Sequence, residues 1–156
     1  MTGTETERSF VLLAEGLAAR LRDILMTQRR WDGFVHDPEG GGAQLLPPPD
    51  ETDRLAEEMI LRALRVATDP INSAILRRLA REDRVALASL MEQTGLSRIA
   101  LLETINDLSQ VGLASYAVDT REVGATSAAI GFAGLLDAVR EQLARIMGER
   151  LEPGRR

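Results

Sequence analysis

From Glu5 to Gln28 the apolar residues Phe10, Leu13, Leu17, Leu21 and Ile24 recur at helical spacing, with Glu and Arg on the opposite side, and this predicts an amphipathic helix. The pattern breaks over residues 29–50, where Gly40-Gly41-Gly42 and Pro47-Pro48-Pro49 read as a loop or linker. Helical spacing resumes near Asp53 with Leu55, Met59, Ala63 and Leu64. It stops before Asp69-Pro70, because proline cannot continue a helix but suits the first turn of the next one, with Asp69 as its cap. In that next helix Ile71, Ile75 and Leu79 face inward, while Arg77, Arg78, Arg81 and Arg84 gather toward the other side.

Between Val85 and Ala114 the pattern is that of two helices joined by a tight break. Leu87, Leu90 and Met91 form the stripe of the first, Thr94-Gly95 stops it, and Ser97 restarts the chain as an N-cap. Leu101, Ile105 and Leu108 then fall on the inner face of the second helix, which Gly112 ends. Two strand-like stretches follow, residues 113–118 and 123–129, separated by Asp119-Thr120-Arg121-Glu122. From Gly131 onward Phe132, Leu136, Val139, Leu143 and Ile146 recur at alternating spacings of four and three, a narrow seam of the kind that paired helices share. Such a seam either packs on the chain's own core or meets a second subunit, and the same choice applies to Leu13, Leu17 and Leu21 of the first helix.

The stretch from Asp69 to Leu79, D-P-I-N-S-A-I-L-R-R-L, followed at the right distance by L-S-R-I-A-L-L-E-T-I-N-D-L and then G-L, resembles the winged helix-turn-helix of bacterial regulators of the ArsR and MarR types. The resemblance covers residues 55–130. It implies a mostly α fold with a small β-wing: residues 1–29 as an N-terminal amphipathic helix, 30–52 as a Gly/Pro-rich loop, 53–130 as the winged domain, and 131–156 as a C-terminal helix. In such proteins the terminal helices form the dimer interface, which here implies Phe132, Leu136, Val139, Leu143, Ile146, Leu13, Leu17 and Leu21. The second helix of the motif is the one that reads base edges in double-stranded DNA. With Leu101, Ile105 and Leu108 turned inward, helical geometry places Arg98, Ile99, Leu102, Glu103 and Asn106 outward.

Those outward residues are mixed as chemistry. Arg98 suits guanine or phosphate and Asn106 suits adenine, whereas Ile99 and Leu102 offer only methyl contacts and Glu103 repels phosphate. The wing tip carries Arg121 between Asp119 and Glu122. Arg77, Arg78, Arg81 and Arg84 are the one local basic concentration beside the motif. They are either a solvated helix face or a shoulder that contacts phosphate.

Composition narrows the functional classes. The 156 residues fit one domain of ordinary size, and 44% hydrophobic with 28% charged residues is the balance of a folded soluble chain. Cysteine is absent, which excludes disulfides and thiolate metal sites and fits a reducing, cytoplasmic setting. All 19 basic residues are arginine and 24 residues are acidic, for a net charge of -5. DNA-binding proteins usually carry a basic excess, so a local basic face would have to do that work. The apolar run at Phe10 to Leu13 is too short for a secretory core or a membrane span.

No phosphate-binding glycine loop, histidine pair, G-x-S-x-G or cysteine nucleophile is present, so an enzyme is not expected, and neither is a cofactor. His36 beside Asp37 and Glu39 reads as a solvated loop residue, since one imidazole cannot build a metal site alone. Trp31 and Phe34 read as a tether onto the core. Two functions therefore stand. One is a DNA-binding transcription regulator acting as a homodimer; the other is a winged-helix adaptor that holds a protein partner through Ile99 and Leu102 or through its terminal helices.

Overall fold

The computed structural model describes residues 3–36 and 49–151. In chain order these form α1 (Gly3–His36), α2 (Pro49–Ala67), α3 (Pro70–Glu82), β1 (Arg84–Ala86), α4 (Leu87–Thr94), α5 (Arg98–Gln110), β2 (Ala114–Ala117), β3 (Glu122–Ala125) and α6 (Ser127–Leu151). The protein is thus mostly α, with one small antiparallel sheet in the order β1-β3-β2.

Local chemistry sets most of the boundaries. The Asp69 carboxylate accepts from the Ile71 and Asn72 amides at 2.9 and 3.2 Å, and Pro70 occupies the first turn of α3. The Asn72 side chain donates to the Val66 carbonyl at 2.8 Å, holding the end of α2 against the start of α3. Gly95 ends α4 with φ +69, a backbone state that costs glycine little, and its amide donates to the Met91 carbonyl at 2.9 Å. The Ser97 hydroxyl then accepts from the Ala100 amide at 3.3 Å and caps α5. Thr126 does the same for α6, accepting from the Ala129 amide while donating to the Gly112 carbonyl at 2.7 Å.

Several expectations need correction. The sheet has three strands, not two: Val85 pairs with Val123, and Tyr116 pairs with Val123 from the other side. A strand of three residues with only Val85 buried is too short for alternation to show in a sequence. β3 stops at Ala125, because Thr126 starts α6 and Ala128 and Ala129 are buried helical residues. The buried stripe of α3 is Ile75, Leu76 and Leu79, which leaves Ile71 in the first turn 39% exposed. α1 continues through Trp31 and Phe34 to His36, and α2 begins at Pro49. The glycine run and Pro47-Pro48, with the side chains of Trp31, Phe34 and His36, lie outside the described residues.

The core is built from Ile75, Leu76 and Leu79 of α3, Leu90 of α4, Leu101, Ile105 and Leu108 of α5, and Val123 of β3, all essentially sealed from solvent. α1 and α6 close over it as an antiparallel pair. Gly16 lies against the backbone of Ala128, Gly131 against Leu13 and Ser9, and Gly134 against Ser9. A methyl group at Gly16 or Gly131 would collide with main-chain atoms of the facing helix. Glycine inside a helix costs about 1 kcal/mol relative to alanine, and the approach it permits brings Leu17 and Phe132 into the core. Leu13, Leu21, Ile24 and Leu136 pack partly buried around them. Burying Leu17 and Phe132 contributes roughly 1.5–3 kcal/mol each.

The two terminal seams therefore largely cover each other within one chain. What α6 leaves uncovered is its later part, where Val139 is 65% and Leu143 58% exposed, with Ile146 and Met147 beside them. Gly131→Ala should lower unfolding stability by about 1–3 kcal/mol, the usual range for overpacking. Gly148→Ala, with no atom within 4 Å of the added carbon, should not. Urea denaturation of the two variants checks this.

Candidate nucleic-acid interface

α5, capped by Ser97, carries Arg98, Ile99 and Glu103 in its first two turns and Asn106 in its third on the exposed side, and Ile99 is 73% exposed. These four lie where helical geometry placed them. Leu102 does not fully join them. It is half-buried against the core and shares with Tyr116 of β2 a shallow cleft of about 250 Å³ that also takes in Asn106 and Ser109. The neighbouring strand thus covers one flank of the helix, which α-helical periodicity alone does not reveal. The Ser109 hydroxyl is buried and has no hydrogen-bond partner among the described residues.

Beside α5 the turn between β2 and β3 presents Val118, 75% exposed, then Asp119, Thr120 and Arg121. Arg121 adopts φ +56, and its carbonyl accepts from the Leu87 amide at 2.9 Å. That bond ties the hairpin tip to the first residue of α4. Arg84, expected on the flank of α3, lies instead on β1 and faces Glu122 of β3 at 3.9 Å.

The four-arginine shoulder separates into three places. Arg78 turns toward α4, where its guanidinium donates to the Glu82 carboxylate at 3.0 Å, the Ser89 carbonyl at 3.1 Å, the Ser89 hydroxyl at 2.8 Å and the Gln93 side chain at 3.1 Å. Its donors are committed to joining α3 to α4. Sequence reasoning missed this staple, although Ser89 and Gln93 stand four residues apart on one face of α4 and could have signalled it. Arg77 and Arg81, one helical turn apart, lie on the side of α3 that faces α1 and α6. Arg84 belongs to the sheet.

The face around α5 therefore offers Arg98, Asn106 and Arg121 as donors. Glu103 and Asp107 share α5 with Arg98 and Asn106, and Asp119 and Glu122 stand next to Arg121 in the hairpin sequence. A duplex docked here would meet few phosphate-binding charges, and its recognition would rest on a small number of side chains along one side of the helix. Among the described residues no group of acidic and histidine side chains could hold a metal ion, and no helix is long and apolar enough to cross a membrane. Comparison with known proteins finds no matching family model, no matching curated protein and no matching solved structure.

Proposed function

We propose that the chain is a winged helix-turn-helix regulator that binds double-stranded DNA as a homodimer in the cytoplasm. The observation that carries this reading is the succession α3, β1, α4, α5, β2, β3 with the sheet order β1-β3-β2. This order, with α5 following α4 after a tight break and a short hairpin following α5, supports reading α5 as the second helix of a helix-turn-helix. A helix entering a major groove touches base edges with its N-terminal residues. Arg98 is the donor in the first turn of α5, suited to guanine, and Asn106, two turns further along the exposed side, is suited to adenine. The terminal-helix layer supplies the second subunit's contact through the later part of α6, where Val139, Leu143 and Ile146 are uncovered.

A second reading is favoured by a specific observation. Ile99 and Val118, 73% and 75% exposed, put apolar surface on both the helix and the hairpin, and exposed apolar area at such a place suits a protein partner better than phosphate. On that reading the module is an adaptor that has lost DNA binding.

A gel-shift titration on mixed-sequence duplex at low salt decides between them, because electrostatic binding is strongest there. The regulator reading expects a shift, and Arg98→Ala reduces the salt slope of log affinity by about 0.9 if Arg98 meets a phosphate. Arg78→Ala lowers thermal stability and leaves that slope unchanged. Absence of any shift at micromolar protein sinks the regulator reading. For the dimer, Leu143→Asp should yield a folded monomer in sedimentation at tens of micromolar; a parent chain that already sediments as a monomer rules the dimer out.

A further inference from the structure

Away from α5, the first turns of α1 meet α3 and α6 around a cleft of about 410 Å³. Arg8 of α1 and Arg77 and Arg81 of α3 line it together. None of the three has a hydrogen bond or ion pair among the described residues. This differs from Arg54, Arg78, Arg84 and Arg140, each of which faces a carboxylate. Of the two carboxylates at the cleft, Asp137 is engaged by Arg140 at 3.4 Å, and Glu5 does not match three guanidiniums in charge. The opening is therefore cationic on a chain whose net charge is -5. Like charges held around one space repel, and an anion placed among them relieves that repulsion.

We propose that this cleft binds a small organic phosphate. Three guanidiniums from two helices supply more donors than the two oxygens of a planar carboxylate accept, and this number suits the three terminal oxygens of a phosphate monoester better. The same cleft includes Leu12, Ile130 and Ala133, an apolar lining for the ester's organic part rather than for a bare ion. Its size suits a small molecule, and its elements are not those that carry Arg98 and the hairpin. The site is thus separate from the nucleic-acid reading and stands or falls without it.

The test is calorimetric titration of the full chain with phenyl phosphate, with benzoate as the carboxylate comparator. Saturable binding at one site per chain is expected, weakened about tenfold or more by Arg8→Ala or Arg81→Ala, as loss of a charge-assisted bidentate contact implies. Arg62→Ala, on the exposed side of α2 and outside the cleft, should bind as the parent does. Because the cleft arginines are exposed, the variants should melt as the parent does. No binding of phenyl phosphate overturns the proposal, and so does equal loss in Arg62→Ala. Benzoate binding as tightly overturns the choice of phosphate. Displacement of phenyl phosphate by a DNA duplex would assign these arginines to DNA and overturn it as well.

Discussion

The close backbone approach of α1 and α6 is the constraint on which the other placements depend. Gly16, Gly131 and Gly134 let the two helices come together, and the antiparallel pair then lies across the core. From that position α1 reaches the far end of α5: Arg20 donates to the Gln110 carbonyl at 2.9 Å, a cation at the negative end of a helix. Gly112 follows with φ +78, and a side chain there would stand 2.7 Å from the Arg20 Cβ. α6 holds the same place from the other side through Thr126 and the Gly112 carbonyl. The exposed helix of the candidate interface is therefore fixed at its C-terminal end by both terminal helices, while its N-terminal end is left open to solvent.

A second consequence concerns charge. The arginines of α3 are divided by helical geometry into a structural group and a free group. Arg78 is spent on Ser89, Gln93 and Glu82, and this staple makes α3 and α4 one unit. Arg77 and Arg81 turn toward α1 and α6 and join Arg8. The cationic surface that a duplex would need beside α5 is correspondingly thin, and Arg8, Arg77 and Arg81 meet at a different junction of helices. Three arginines of an acidic chain, unpaired among the described residues, thus share one cleft, away from the exposed helix.

Much of the architecture was legible in the residues. Asp69-Pro70, Thr94-Gly95 and Ser97 act through local hydrogen bonds and backbone preferences, so the breaks they signal lie where expected. Leu101, Ile105 and Leu108 are buried as the helical period requires. Features that depend on what packs beside an element were not legible. β1 exists because β3 pairs with it, and Leu102 is half-buried because it packs against the core on the flank of α5 next to β2. The terminal seams read equally well as a dimer interface or as a core. They divide, with Leu17 and Phe132 buried in the chain and Val139 and Leu143 left outside. The decisive signal was the glycine spacing in α6, whose meaning requires the facing helix to be known.

The central claim is that the N-terminal end of α5 and the adjoining hairpin form one surface, separate from the arginine cleft at α1, α3 and α6. Hydrogen–deuterium exchange of the full chain with and without a DNA duplex tests it directly. Duplex-dependent protection is expected at residues 97–106 and 118–121, with residues 5–12 and 77–81 unchanged. Protection centred on residues 77–81 with none in α5 would contradict it.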